Sequence, residues 1–511
     1  MFSRILRHLE GRRGWRAPAT AVGLGALSAL AMPPVHLLPV LWLTLPGFLW
    51  LAAHAPDRKR AALVGLAWGW GFQLAGLYWI TEAILTEADR LWWLVPLAVP
   101  ALALPMGAFS VLPALAAWGA PAGWRRVTGF AAAWVGAEML RGWAFTGFPW
   151  NLLGTAWAFD ALPLQGAAWI GVHGLSLVTV LLACAPLGGR RGWLGAAAGL
   201  VAFGLFGLAR LWPEEPAPHP ISLVLVQGNI GQEMKWRPET RWPIFRRYLE
   251  LTRDGVAEAA AQAPGTRAVA IWPETASPFL LNEDAEARRF AAAALPADGV
   301  LLAGSVRAEL EPDGRARAVF NSLVALDATG DILGRYDKSH LVPFGEYMPL
   351  SGLLPLRVIR GGMDFTAGAG PVTVDVGGLP GFSPLICYEV IFPGAVVSAS
   401  RPEWLTNITN DAWFGTSAGP YQHLAAARLR SVEEGLPMAR VAQTGISAVM
   451  DGRGRFVGRL GLGQTGVLVA PLPRAMPATP FSRYGLWLPG ALVLLMTALS
   501  FAPGLRRHPD T

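Results

Sequence analysis

The chain holds two cysteines, and they keep different company. Cys387 closes an apolar run, Gly381 to Ile386, that predicts a buried strand, and polar residues follow it in Leu385-Ile386-Cys387-Tyr388-Glu389. A thiol at a strand end, facing a loop, is placed to act as a nucleophile, because the scaffold holds it while the loop admits substrate. The plainer account is a small buried hydrophobe, and that account suits Cys184, inside Leu-Leu-Ala-Cys-Ala. A nucleophilic thiol also needs a base and a group that stabilises an oxyanion. Glu274 follows the apolar run Ala270-Ile-Trp-Pro and is flanked by Trp272, Pro273, Pro278 and Phe279. Desolvation there would make its carboxyl a usable base, although a solvated loop acid fits the same spacing. Lys338 lies in Tyr336-Asp-Lys338-Ser-His-Leu-Val-Pro-Phe-Gly-Glu346-Tyr, where a surface turn is the competing reading. Lysine occurs only at Lys59, Lys235 and Lys338 in a chain that otherwise uses arginine, so a retained ammonium can mark a site that needs a compact charge.

These residues must be positioned by a chain of 511 residues that is 53% hydrophobic and only 15% charged, with mean hydropathy +0.38. Such a balance places much of the chain in lipid. Apolar stretches long enough to span a bilayer recur near 17–33, 37–55, 61–81, 92–119, 127–145, 164–187 and 192–212, and an eighth near 484–503. Basic clusters occupy every second loop: the N-terminal arginines Arg4 to Arg16, then Arg58-Lys59-Arg60, Arg125-Arg126, Arg190-Arg191 and Arg506-Arg507. By the positive-inside rule both termini are cytoplasmic and the long segment after Trp212 lies outside. The net charge of +7 is therefore topological, and nucleic-acid binding is not expected. The N-terminus carries no convincing signal-peptide cleavage site. One outer loop, Arg141-Gly-Trp-Ala-Phe-Thr-Gly-Phe-Pro-Trp150, follows Glu138. It fits an interfacial aromatic belt with a Glu138–Arg141 helix-end pair, or an entry site for lipid headgroups.

The expected domains are a membrane domain over 1–212 with seven helices, an extramembrane α/β domain over 220–474, and a last helix over 484–503. Within the second, strands are expected at Ile221–Gln227, Ala268–Trp272, Val300–Ala303, Ser322–Leu326, Val372–Val376, Phe382–Ile386, Trp404–Ile408, Met438–Ala442 and Ser447–Met450. Helices are expected at Arg241–Ala261, Ala285–Ala294 and Tyr421–Glu434.

A Glu after a strand, a Lys in Tyr-x-Lys-x-His-Leu-x-Pro-Phe-Gly-Glu and a Cys-Tyr-Glu strand end together resemble the nitrilase (carbon–nitrogen hydrolase) superfamily. With seven spans before and one after, the chain is similar to the apolipoprotein N-acyltransferase family, whose members add the third acyl chain to bacterial lipoproteins. The likeness covers nearly the whole chain and includes Arg141–Trp150, Trp413-Phe-Gly and Thr444-Gly-Ile-Ser-Ala. One departure is Glu433-Glu434, where Glu-Asn is expected, which leaves the role of Glu434 open.

The resemblance implies an αββα nitrilase-like domain on the periplasmic side of a polytopic inner-membrane protein. It implies acyl transfer from a phospholipid, such as phosphatidylethanolamine, to the α-amine of a diacylglyceryl-cysteine. Cys387 would be the nucleophile, Glu274 the base, and Lys338 the oxyanion stabiliser, with a backbone N–H near Tyr388 as second donor. Glu346 and Glu389 would orient the lysine and the amine, or be ordinary satisfied loop carboxylates. Trp236 looks like the tryptophan that covers an acyl chain in the family; Arg141, Trp150 and Trp413 would complete the substrate surface. The apolar stretch Gly345–Gly362 fits a membrane-facing lid or packed core. No metal or organic cofactor is expected, since no His/Cys cluster has ligand spacing and no glycine loop fits a phosphate. One chain contains every part, so a monomer is expected. Three alternatives compete: a Cys–His pair using His340 or His423, a tethered amidase with water as acceptor, and a transporter with a regulatory outer domain. The last would call for charges at mid-membrane, where only Glu138 is a clear acid, near an interface.

Overall fold

The computed structural model describes residues 14–235, 237–349 and 364–502. Two compact units emerge. One comprises Trp79–Val95 and Arg210–Arg483, the other Met1–Tyr78, Pro96–Ala209 and Tyr484–Thr511.

Among the described residues the first unit is built on eleven strands: β1 (Ile221–Gln227), β2 (Arg267–Ile271), β3 (Val300–Leu310), β4 (Ala316–Asp327), β5 (Ile332–Asp337), β6 (Phe382–Ile386), β7 (Trp404–Thr409), β8 (Met438–Ala442), β9 (Ser447–Met450), β10 (Phe456–Leu460) and β11 (Gly466–Pro471). One sheet has the order β11-β1-β2-β3-β4-β5, the other β10-β9-β8-β7-β6. In each, three neighbouring strands run parallel, β1-β2-β3 and β6-β7-β8. Parallel strands are covered on both faces, which is why they are the continuous apolar runs of the sequence. Leu223, Leu225, Ile271, Leu302, Phe382, Ile386, Trp404 and Ile408 share the core between the sheets.

The other face of the larger sheet is covered by α1 (Arg241–Gln262) and α2 (Ala285–Ala292). The buried face of α1 is Ile244, Phe245, Tyr248, Leu249, Thr252, Gly255 and Ala259, a single helical stripe. A third helix, α3 (Gly419–Glu434), packs beside β8 and the turn after β6. The result is the expected αββα sandwich.

Three strands, β5, β10 and β11, escape the sequence pattern. They are half-exposed, and β5 and β10 mix glycine and arginine with apolar residues (Ile-Leu-Gly-Arg-Tyr-Asp and Phe-Val-Gly-Arg-Leu). The expected strand Val372–Val376 is corrected to a single bridge between Val374 and Phe382. Pro371 precedes it, and Gly377 and Gly378 both take positive φ after it, so no ladder can extend.

Helices occupy each of the eight apolar stretches, at Arg16–Ser28, Leu41–Ala53, Arg58–Gly76, Val95–Ala108 with Val111–Gly119, Trp124–Arg141, Ala167–Cys184, Gly189–Leu211 and Trp487–Phe501. By length and composition, two continuous helical stretches among the described residues are apolar enough to cross a membrane, Ala88–Gly119 and Ala167–Leu211. In the second unit Phe48, Trp68, Phe130 and Trp134 form an aromatic centre, with Phe48 and Trp68 stacked at 4.9 Å. Small residues let the helices close in. A Cβ at Gly25 would stand 2.0 Å from the Trp68 carbonyl oxygen, and one at Gly69 would stand 2.3 Å from that of Gly107.

Candidate active site

The strand β2 ends against Pro273, which cannot donate to a ladder, and the chain turns so that Glu274 leaves the sheet edge. Thr275 takes φ +46°, a left-handed conformation that costs a non-glycine residue energy. The turn fits because position 304 in β3 is glycine: a Cβ there would lie 2.2 Å from the Pro273 carbonyl oxygen and 2.7 Å from the Glu274 Cα. The Glu274 carboxylate is buried. Its Oε1 accepts from Asn321 Nδ2 at 2.6 Å and lies 3.5 Å from Lys338 Nζ, while Oε2 accepts the Asn410 N–H at 2.8 Å.

Lys338 follows β5, its backbone N–H donating to the Asn321 carbonyl oxygen at 2.8 Å. Its ammonium donates to Glu346 at 2.9 Å, and Glu346 also accepts from Asn321 Nδ2 at 2.9 Å and from the Val342 N–H at 2.8 Å. One asparagine amide and one ammonium thus join two buried carboxylates. Burial opposes the charge on Lys338, but Glu346 and Glu274 outweigh it and hold the ammonium above its ordinary range.

Cys387 ends β6 with φ +52°, again left-handed. Burial, then the charge of Glu274, pushes its thiol up, with Lys338 pulling the other way. A thiol pushed up in this way would need a base to act as a nucleophile. Glu389 binds the turn to the lysine segment: it accepts from Tyr336 Oη at 2.7 Å, from the Ser339 N–H and hydroxyl, each at 2.8 Å, from the His340 N–H at 3.1 Å, and from the Ile386 N–H at 2.7 Å. The Tyr388 ring packs edge-on to Phe392 at 5.1 Å. His340 stacks on Phe392 at 3.9 Å, and His423 directs Nε2 to the Cys387 carbonyl oxygen at 3.1 Å and Nδ1 to Asp411 at 2.9 Å.

Two family models match in tandem, the apolipoprotein N-acyltransferase N-terminal domain over residues 24–185 and carbon-nitrogen hydrolase over 223–478. The chain is 38% identical to apolipoprotein N-acyltransferase of Rhodopseudomonas palustris, with 100% of this chain and 98% of that protein covered. It is 40% identical to the one from Bradyrhizobium diazoefficiens over 97% of each. With that of Brucella melitensis it shares 37% identity over 99% of this chain and 98% of the relative. The chain belongs to the apolipoprotein N-acyltransferase family.

In this member of the apolipoprotein N-acyltransferase family, Glu274, Lys338, Glu346, Cys387, Tyr388 and Glu389 all fall in one compact unit, as does the half-buried Trp413. Trp236 and residues 350–362 of the expected lid Gly345–Gly362 lie outside the described residues. Arg141 and Trp150 belong to the other unit, where Arg141 Nη2 donates to the Trp150 carbonyl oxygen at 2.8 Å. Glu138 accepts there from Trp134 Nε1 at 3.0 Å and the Leu153 N–H at 2.9 Å, so both charged residues hold the 148–153 segment. Glu434 is buried at the end of α3, its backbone carbonyl accepting from Arg401 at 2.7 Å.

Two site residues were not assigned a role from sequence. Asn321 is a buried amide inside the apolar strand β4, and that misfit of residue type with position was its only signal. Lys235 is buried, donates to the Glu274 carbonyl oxygen at 3.1 Å and to the Thr275 hydroxyl, and is brought down to about 8 by burial, against the charges of Glu274 and Cys387. Its rarity was visible; its partners were not.

Proposed function

We propose that the protein is an N-acyltransferase that moves an acyl chain from a phospholipid, through a Cys387 thioester, to the α-amine of diacylglyceryl-cysteine in apolipoproteins. The observation that carries this reading is the buried Glu274–Lys338–Glu346 cluster acting on a strand-end thiol, in a chain that aligns end to end with apolipoprotein N-acyltransferases. In the first half, Cys387 Sγ attacks the ester carbonyl while Glu274 takes the thiol proton. The oxyanion forms beside Lys338 and the Tyr388 N–H. It collapses by breaking the ester C–O bond, and Glu274 gives the proton to the departing alkoxide, releasing lysophospholipid. In the second half the amine attacks the thioester. A proton passes from its nitrogen through Glu274 to the sulfur as the C–S bond breaks, and amide and free thiol result.

Glu346 and Glu389 act in this scheme as positioning groups for Lys338 and for the Cys387 turn. Trp236 and Trp413 are assigned to the acyl chain, and Arg141 and Trp150 to a loop that meets lipid. The eight helical stretches are proposed as crossings, with both termini cytoplasmic and the catalytic domain periplasmic; the exposed apolar side chains Leu97, Leu104, Val201, Leu205, Leu494 and Leu495 support a lipid-facing surface. Phosphatidylethanolamine is the proposed donor, and the working unit a monomer.

The test is mass spectrometry of the purified protein exposed to phosphatidylethanolamine without acceptor. The expected result is an acyl adduct on the Cys387 peptide, labile to hydroxylamine, discharged by a diacylated lipopeptide and absent from Cys387→Ala. Discharge by water at the same rate as by lipopeptide would favour the amidase reading. Acylation of lipopeptide by Cys387→Ala would sink the thioester.

A further inference from the structure

Behind the Cys387 turn lies a second buried polar cluster that the mechanism above does not use. Asp411, His423 and Arg440 are all buried. Arg440, in β8, donates Nη2 to Asp411 Oδ2 at 2.7 Å and Nη1 to the side-chain oxygen of Asn407, its partner across the ladder in β7. Thr409 donates to Asp411 Oδ1 at 3.1 Å, and the same oxygen is 2.9 Å from His423 Nδ1. Position 445, in the Thr444-Gly-Ile-Ser-Ala motif, must be glycine for this to fit, since a Cβ there would stand 2.2 Å from Asp411 Oδ2. Five residues, on β7, β8 and the segments that follow them, therefore converge on one imidazole.

That imidazole reaches the Cys387 turn through its Nε2, which is 3.1 Å from the Cys387 carbonyl oxygen. A carbonyl oxygen can only accept, so this contact is a hydrogen bond when Nε2 carries a proton, with Nδ1 left to Asp411 Oδ1 and, at 3.3 Å, to Arg440 Nη2. The Cys387–Tyr388 peptide is trans, and in a planar trans peptide the C=O and the following N–H point in opposite directions. Whatever fixes the Cys387 carbonyl also fixes the Tyr388 N–H. At φ +52° the cysteine is in a conformation that an unbraced backbone would leave.

We propose that His423, held by Asp411 and Arg440, is a positioning residue that anchors the Cys387 carbonyl and so aims the Tyr388 N–H at the oxyanion. The inference rests on the thioester reading of Cys387. Removing the anchor lets the peptide rotate and withdraws one donor from both tetrahedral intermediates, while the thiol itself keeps its place at the strand end.

The experiment uses the full-length protein in detergent and three rates: thioester formation from phosphatidylethanolamine, discharge to a lipopeptide, and alkylation of Cys387 by iodoacetamide, which forms no oxyanion. For His423→Leu, both acyl steps should fall by about 10²–10³-fold, the effect of losing one oxyanion donor, with alkylation unchanged within about twofold. His423→Gln, whose amide N–H can replace Nε2–H, should recover most of the loss and serves if the Leu variant does not fold. A parallel fall in alkylation would overturn the proposal in favour of a thiol-placing role. Undiminished acyl transfer in both variants would overturn it alone, whereas absence of any thioester on the wild-type protein would overturn it together with the mechanism on which it rests.

Discussion

Glu274 stands between two buried lysines, and the two sides of it are treated differently. On one side Lys338 meets the carboxylates of Glu274 and Glu346, and its ammonium is held above the ordinary range. On the other, Lys235 meets the backbone carbonyl of Glu274 and a hydroxyl, and burial brings it down to about 8. Both side chains are equally out of water; what differs is the charge of the first neighbours. Burial alone lowers a lysine's pKa, and two carboxylates reverse the effect. In the proposed mechanism the fixed cation beside the oxyanion is therefore made by Glu346 as much as by the lysine. Lys235 braces the left-handed Thr275 turn instead.

The contrast is broken most severely by Lys338→Met, which leaves two buried carboxylates facing each other without a cation. Acyl transfer should fall by about 10³-fold or more, and the melting temperature should drop because uncompensated buried charge costs roughly 3–5 kcal/mol. Glu346→Gln in the same background should restore part of the melting temperature but none of the activity. Next comes Gly304→Ala, whose new methyl pushes on Pro273 and Glu274. A displacement of about 1 Å at a reacting group costs on the order of 10²-fold in kcat, and single-turnover thioester formation would measure it; an unchanged rate would show that the turn has slack.

Asn321→Ala removes the amide that ties the two carboxylates together. We expect a smaller loss, about tenfold, from one missing hydrogen-bonding group worth about 1–2 kcal/mol, seen in kcat with KM unchanged. The smallest effect at neutral pH belongs to Lys235→Met, and its signature lies in stability against pH. Because the folded-state value is lowered, from 10.5 to about 8, the unfolded chain binds more protons between those pH values. Wild-type stability should then rise with pH from about 8 to 10.5, by roughly 3 kcal/mol for this group. Thermal melts should show the variant without that rise; identical slopes would place Lys235 in contact with water.

The strand ends carrying Glu274 and Cys387 were legible because a parallel strand covered on both faces must be a continuous apolar run, so its polar terminus stands out. Edge strands β5 and β10 were not, since solvent on one side admits glycine and arginine into them. In the membrane half the apolar stretches were plain, but the segment Trp79–Val95 folds with the catalytic unit rather than with its neighbours in sequence. There Trp79 donates to Gln422 at 3.1 Å and packs on Phe414 at 4.6 Å. Hydropathy cannot reveal such partners, because they lie more than 300 residues away.

By itself, then, the sequence determined the residue types and the strand ends that present them, because hydrophobic periodicity and terminal polar residues act over a few neighbours. Which side chains surround each charge was decided only by the tertiary structure. Asn321 comes to Glu274 from two strands away, Lys235 from a loop after β1, and His423 to Cys387 from a helix after β7. Burial and contact set the charge on a lysine and the direction of a peptide, and both depend on residues that only folding brings together.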